Sequence, residues 1–313
     1  MGNTRKIIMD MDPGHDDAMA LIVAASSPKL EIMAITTVSG NAPVEKTTRN
    51  ARRICDLIHL QQVPIYKGAS RPLLRAPEAA ETIHGESGLD GPELSDNPEK
   101  TVEKEHAVDA IIHIIEHSES PVTLVPTGPL TNIALALIKE PGIAGNIEEI
   151  VLMGGGTFGN WTPAAEFNIY ADAEAAKVVF ESGISIAMFG LDVTHQALIT
   201  PEIQQRISTS RHPAGRFVFD LLDFFMEAYK NTFRFEGAPL HDVCTVAYLI
   251  DSGMFTMEHV HVGIETRGEY TYGATAVDLL HVTGTEPNVW FAGSLQVDRL
   301  WKLIKEAVDS YEK

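Results

Sequence analysis

The sequence predicts an α/β fold: an open, mostly parallel sheet with helices on both faces, followed by a mainly helical C-terminal half. Three observations predict it. Apolar runs of strand length alternate with helix-length runs as far as Asp192. Polar or Gly-rich clusters follow the carboxyl ends of several strand-length runs: Asp10 to Asp17, Ser39-Gly40-Asn41, Pro126-Thr127-Gly128 and Gly154-Gly155-Gly156. In an open parallel sheet those ends line one edge, where ligands bind. No linker composition or internal repeat interrupts the chain, so residues 1–313 are expected to form a single domain.

The elements follow in order. Residues 6–9 read as a short buried strand. After the acidic turn, Ala18 to Ala25 are helix formers that end at Ser26-Ser27-Pro28. Leu30 to Val38, rich in Ile and Thr, is a second buried strand. Residues 44–58 resume a helical pattern with Ala51, Ile54 and Leu57 on one face, and Val63-Pro64-Ile65-Tyr66 is a third strand. Residues 70–105 are rich in Pro, Glu, Gly and Ser and predict a long surface excursion; loops of this length are usually functional or disordered. Then come a helix at His106 to His117, a strand at Val122 to Val125, a helix at Leu130 to Lys139 and a strand at Ile150 to Met153. A helix at Asp172 to Phe180 is stopped by Gly183, and Ile184 to Phe189 is a further strand. Beyond Thr200 helices are expected at 201–211, 214–232 and 241–250, with short β-like runs such as Val260 to Ile264 and a last helix near 295–312. This alternation makes the sheet Rossmann-like.

Composition narrows the function. A formal net charge of -19 with no long Lys/Arg run argues against nucleic acid polymers and anionic membranes. No apolar stretch approaches the roughly 20 residues needed to span a bilayer. Cys55 and Cys244 belong to no CxxC or Cys/His pair and sit among apolar neighbours, so they read as buried free thiols. With an N-terminus that lacks an apolar signal core, this suits a cytoplasmic location.

Chemistry concentrates in Asp10-Met11-Asp12-Pro13-Gly14-His15-Asp16-Asp17. Four carboxylates this close repel one another unless something neutralises them. A hard divalent cation with oxygen ligands is the simplest solution. A helix cap accounts for Asp16 or Asp17, but gives no reason for Asp10 and Asp12 at the end of an apolar strand. Two further polar groups stand out, Ala165-Glu166-Phe167-Asn168 and His241-Asp242, although a helix start alone also accounts for Asp242.

Other readings fit less well. Asp-x-Asp after a first strand resembles the haloacid dehalogenase-like phosphatases, yet Pro13-Gly14 departs from their pattern and the strand-end clusters hold no Lys or Arg for a phosphate. An EF-hand from Asp10 would need Gly at His15 and Glu at Leu21. Gly154 to Gly156 lacks dinucleotide spacing, and no GxSxG is present. A non-catalytic calcium-dependent sugar-binding protein explains the acids and amides but not the added His-Asp pair.

Taken together, these motifs resemble the inosine/uridine-preferring nucleoside hydrolases. The resemblance is carried by the acidic stretch and Thr37-Val38-Ser39-Gly40-Asn41, with His84-Gly85-Glu86-Ser87-Gly88 and Val125-Pro126-Thr127-Gly128 following. Leu152-Met153-Gly154-Gly155, Ala165-Glu166-Phe167-Asn168 and His241-Asp242 complete it. It implies hydrolysis of the N-glycosidic bond of ribonucleosides to free base and ribose, with one Ca2+ per subunit and a homodimer or homotetramer. Asp12, Asp17 and Asp242, with the Thr127 carbonyl, would hold the calcium. Asp12 would also be the base that activates a metal-held water, and Asp10 would support the ligands. Asp16, Asn41, Glu166 and Asn168 would bind ribose hydroxyls, with Met153 lining that pocket. His241 would help the base leave, and His84 lies in a loop that closes over it. Phe225, Tyr229 and Phe233 share a helical face, which reads either as a core stripe or, by the resemblance, as the wall over the nucleobase. Asn160 joins the expected substrate-binding set without a specified role. Aromatic faces tolerate purines and pyrimidines, so both classes are expected, inosine and uridine preferred.

Overall fold

A computed structural model describes residues 4–208 and 212–311. The first half contains β1 (Arg5–Met11), α1 (His15–Ser26), β2 (Leu30–Thr37), α2 (Val44–Leu57), β3 (Ile65–Lys67), α3 (Glu81–His84), α4 (Ala107–His117), β4 (Val122–Pro126), α5 (Thr131–Lys139) and β5 (Ile147–Met153). Next come α6 (Phe167–Ala171), α7 (Ala173–Phe180), β6 (Ile186–Phe189), α8 (Leu191–Thr194), β7 (Leu198–Ile199), α9 (Pro201–Ile207) and α10 (Pro213–Phe233). The chain closes with β8 (Ala238–Pro239), α11 (Val243–Ile250), β9 (Phe255–Val260), β10 (Val262–Ile264), β11 (Thr275–Val277), β12 (Val289–Leu295) and α12 (Val297–Ser310).

The main sheet runs β3-β2-β1-β4-β5-β6-β12-β9. Every neighbouring pair from β3 to β12 is parallel, and only β9 at the edge is antiparallel. The first six strands follow the doubly wound order, with its switch point between β1 and β4. Alternation along β1 feeds two cores. Ile7, Met9 and Met11 face α1, α11 and α12, whereas Ile8 faces α4, α5 and α7. Helix α1 is buried from His15 to Ala24, because other helices cover it beyond the sheet, and its sequence is correspondingly apolar almost all round.

Two expectations need adjustment. Beyond Thr200 the described residues carry the helices but also five strands, β8 to β12, and β12 enters the main sheet beside β6. The helix expected at 201–211 spans Pro201–Ile207; residues 209–211 lie outside the described residues. The 70–105 excursion packs back onto the polar face of α2. Asn50 Nδ2 donates to the Ser87 carbonyl at 3.0 Å, and Arg53 holds the Ser95 carbonyl and Asp96, each at 2.8 Å. These bonds satisfy loop backbone that would otherwise be left unpaired, and they set α3, with His84, above the sheet edge.

Candidate active site

The acids at the end of β1 meet the end of β4 at the switch point. Asp12 is fully buried, and its Oδ2 accepts from the Asn41 backbone N–H at 2.6 Å. Two glycines allow this approach. A Cβ on Gly40 would lie 2.0 Å from Asp12 Oδ2, and one on Gly128 would lie 2.6 Å from Oδ1, so each loop passes close to the carboxylate only without a side chain. Asp17, in the first turn of α1, accepts from Thr127 Oγ1 at 2.7 Å, Gly14 N–H at 3.0 Å and Asn41 Nδ2 at 3.3 Å. Asp16, Asp17 and Asp242 each bring a carboxylate oxygen within 4.8 Å of the others. Asp12 is outside that triplet but beside it, and its charge bears on Asp242.

Three buried oxygens in this turn have no partner: Asp10 Oδ2, Asp12 Oδ1 and Asp16 Oδ1. A buried carboxylate oxygen without a donor is costly, and the surrounding set contains only oxygen donors. The residues present therefore fit a hard cation. Asp10 stands behind the others, accepting from Thr36 Oγ1 at 2.6 Å and Asn132 Nδ2 at 2.8 Å.

Beside the acids lies a cavity of ≈ 260 Å³. Asp16, Asn41, His84, Thr127, Met153, Asn160, Glu166, Asn168, Tyr229, His241 and Asp242 all line it. Glu166 caps α6, its carboxylate taking N–H bonds from Asn168, Ile169 and Gly155. Asn168 Nδ2 donates to the Thr127 carbonyl at 2.9 Å, which ties the α6 loop to the β4 end. Asn160 Oδ1 accepts from Phe167 N–H at 3.0 Å and so shapes that loop as well as lining the cavity. His241 sits in a chain: Nδ1 is 2.8 Å from Thr194 Oγ1, and Nε2 is 2.8 Å from the Tyr229 hydroxyl.

Phe225 does not line the cavity. It is fully buried one turn behind Tyr229 and stacks on His15 at 5.1 Å, so for this residue the core reading of the helical stripe holds. Phe233 lines the cavity instead. Thr82, Trp161 and Thr232 also line it and were missed by sequence reasoning. Trp161 follows Asn160 directly, and Thr232 precedes Phe233. Only their adjacency to expected residues offered a signal.

Burial sets the electrostatics. It pushes Asp12 and Asp16 well above the usual carboxylate value, with the charge of Asp17 adding to the effect. Asp242 is raised likewise, by burial and then by Asp16. Burial also lifts Asp10 and Glu166 to about 7. The histidines move the other way: His15 falls to about 4, and His84 and His241 fall well below 6.5, again chiefly through burial.

The two groups oppose each other in linkage. Asp10 and Glu166 keep protons in the folded chain up to about 7, whereas the unfolded chain releases them near 3.8 and 4.5, so stability falls as pH rises through that window. Buried neutral histidines lose stability as pH falls, but only below 6.5. From pH 6.5 to about pH 8 the histidine contribution fades and the raised carboxylates dominate. The Tm of metal-free protein is therefore expected to fall over that interval, and saturating calcium should remove the fall. A metal-free Tm that rises instead contradicts this electrostatic picture.

The comparisons with known proteins agree with the geometry. The family model described as inosine-uridine preferring nucleoside hydrolase matches residues 7–302. The chain belongs to this family. A pyrimidine-specific ribonucleoside hydrolase RihA from Shewanella woodyi is 47% identical over 312 residues, covering 99% of this chain and 100% of the relative. A RihA of Escherichia coli O1:K1 is 48% identical, covering 90% and 91% of the two chains. Among solved structures, a purine-preferring ribonucleoside hydrolase from Gardnerella vaginalis matches with a TM-score of 0.90 at 35% identity, over 98% of this chain and 99% of that one. A plant nucleoside hydrolase matches with a TM-score of 0.89 at 30% identity, over 97% and 99%. This nucleoside hydrolase is thus an enzyme acting on ribonucleosides, and its acidic cluster matches the metal dependence of the family. None of its described helices is long and apolar enough to cross a membrane.

Proposed function

We propose that this nucleoside hydrolase cleaves the N-glycosidic bond of uridine and cytidine, and more slowly of inosine, with one calcium ion per subunit. The observation that carries the reading is the pair of buried, unpartnered oxygens, Asp12 Oδ1 and Asp16 Oδ1, beside a cavity at the switch point. Asp12, Asp17, Asp242 and the Thr127 carbonyl would hold the cation, an all-oxygen set that suits calcium. When bound, it supplies a water of lowered pKa and neutralises the acids. The chain's residues do the rest. Asp12 takes the proton from the attacking water as general base. Asp16, Asn41, Glu166 and Asn168 hold the ribose hydroxyls, Met153 lines the ribose pocket, and the carboxylates favour the oxocarbenium-like transition state. His241, neutral and donating from Nε2, polarises the Tyr229 hydroxyl toward the departing base. Asp10 orients the turn from behind.

The sequence places inosine beside uridine in preference. The likeness to pyrimidine-specific RihA relatives shifts the weight to pyrimidines, while Tyr229, Phe233 and Trp161 leave aromatic surface for a purine. Initial rates of ribose release from uridine, cytidine and inosine test this. The pyrimidines should show the higher kcat/KM; an inosine value above both overturns the order. A homodimer or homotetramer is part of the same proposal, and Tyr270, Leu280 and Val282 are exposed large side chains that such an interface could cover. Buried free Cys55 and Cys244 suit a reducing cytoplasm, and the whole chain is read as one nucleoside hydrolase domain.

A further inference from the structure

His15 lies within the acidic turn, yet it does not line the cavity and the proposed reaction does not use it. It is fully buried as the first residue of α1. Its ring stacks on both Phe224 and Phe225, with centroids 5.2 and 5.1 Å away and interplanar angles of 9° and 4°. Nε2 lies 2.9 Å from the Asp90 carbonyl oxygen, and Nδ1 lies 3.1 Å from Nδ1 of His84. His84 does line the cavity.

These contacts determine where the protons sit. A carbonyl oxygen only accepts, so Nε2 of His15 carries a hydrogen. Full burial against two stacked phenylalanine rings keeps the imidazole neutral, outweighing the opposing charge of Asp90. Its Nδ1 is then a lone pair, and the His84 Nδ1 opposite it must be the donor. His84 is thereby the Nδ1–H tautomer, and its Nε2 is a bare acceptor. The His15 backbone N–H reaches the same His84 nitrogen only at 3.4 Å, at the outer limit of a hydrogen bond, and competes weakly.

We propose that His15 is a positioning residue that locks His84 with its Nε2 lone pair available to the cavity, so that the site selects a nucleoside presenting an N–H or O–H donor there. This rests on the nucleoside reading above. The donor is either an N–H of the base or a hydroxyl of the ribose. The lock explains a histidine in the acidic turn that touches no substrate, since its work is done through His84.

Nitrogen-resolved NMR of the histidine rings in the full-length protein tests the lock without any substrate. Wild-type His84 should show a protonated Nδ1 and a bare Nε2. His15→Phe keeps the ring stack but removes the acceptor, and should move the His84 proton to Nε2. His15→Asn returns an acceptor oxygen near the lost Nδ1 and should restore the tautomer. On uridine, His15→Phe should raise KM about ten-fold with kcat nearly unchanged, the loss of one hydrogen bond. 3-Methyluridine removes the base donor and 5′-deoxyuridine a ribose donor. The one that supplies the contact should lose about ten-fold with wild type and little with His15→Phe. A wild-type His84 protonated on Nε2 overturns the proposal, even if no variant folds. An unchanged KM in folded His15→Phe overturns it too, and so does equal loss with both analogues in both proteins. Because the spectra need no turnover, failure of the lock is separable from failure to hydrolyse nucleosides.

Discussion

Asp12→Asn is expected to reduce turnover on uridine by roughly 10⁴-fold or more, because it removes the proposed general base and a proposed metal ligand together. The expected loss follows from position. Asp12 is buried, its Oδ2 is fixed by the Asn41 N–H, and its Oδ1 is left without a partner. The fold should survive. Asn is nearly isosteric, and in metal-free protein it relieves a carboxylate crowded by the charges of Asp17 and Asp16. Metal-free Asp12→Asn should therefore melt at or above the wild-type temperature, while the stabilisation by added calcium shrinks. Steady-state rates and paired melting curves check both halves. Retained turnover in a folded variant removes Asp12 from its role.

The second large effect belongs to His241 and depends on the leaving group. His241→Ala should cost roughly 10²- to 10⁴-fold in kcat on uridine or inosine, whose bases leave poorly without help. On a nitrophenyl riboside, whose leaving group needs no proton, the loss should be under about ten-fold. The chain from Thr194 through His241 to the Tyr229 hydroxyl ends at the cavity, where a departing base would sit. Burial keeps His241 neutral through the physiological range, so the help proposed for it is hydrogen bonding and not a fixed positive charge. Equal losses on both substrates would show that His241 does not assist the departing base.

Much of this site is legible in the sequence because parallel-sheet topology is legible. Once β1, β2, β4 and β5 are read as strands, the polar residues after them must share an edge, which brings Asp12, Asn41, Thr127 and Met153 together from distant positions. Strand β12 was not readable in the same way. Val289–Leu295 alternates irregularly between buried and exposed, and its parallel partner β6 lies about a hundred residues earlier, so no local pattern announces the pairing. Phe225 illustrates a different limit. Spacing by one helical turn shows that Phe225, Tyr229 and Phe233 share a face, but not how far along the helix the cavity extends. The stripe passes from core at Phe225 to cavity wall at Tyr229 and Phe233. Trp161 was missed because it sits in an irregular loop with no period, placed by the bonds that fold residues 159–168 onto α6. The His15 to His84 contact joins α1 to the long excursion, and no spacing rule predicts a contact across that separation.

A cation in the β1 turn is proposed to be what makes this cavity hydrolyse ribonucleosides. Ribose release from uridine by chelator-stripped protein, before and after calcium is restored, tests it most directly. Stripped protein should lose at least about 10²-fold in rate and regain it with calcium. Full turnover of uridine by protein shown to be free of metal would mean that the acidic turn works without a cation.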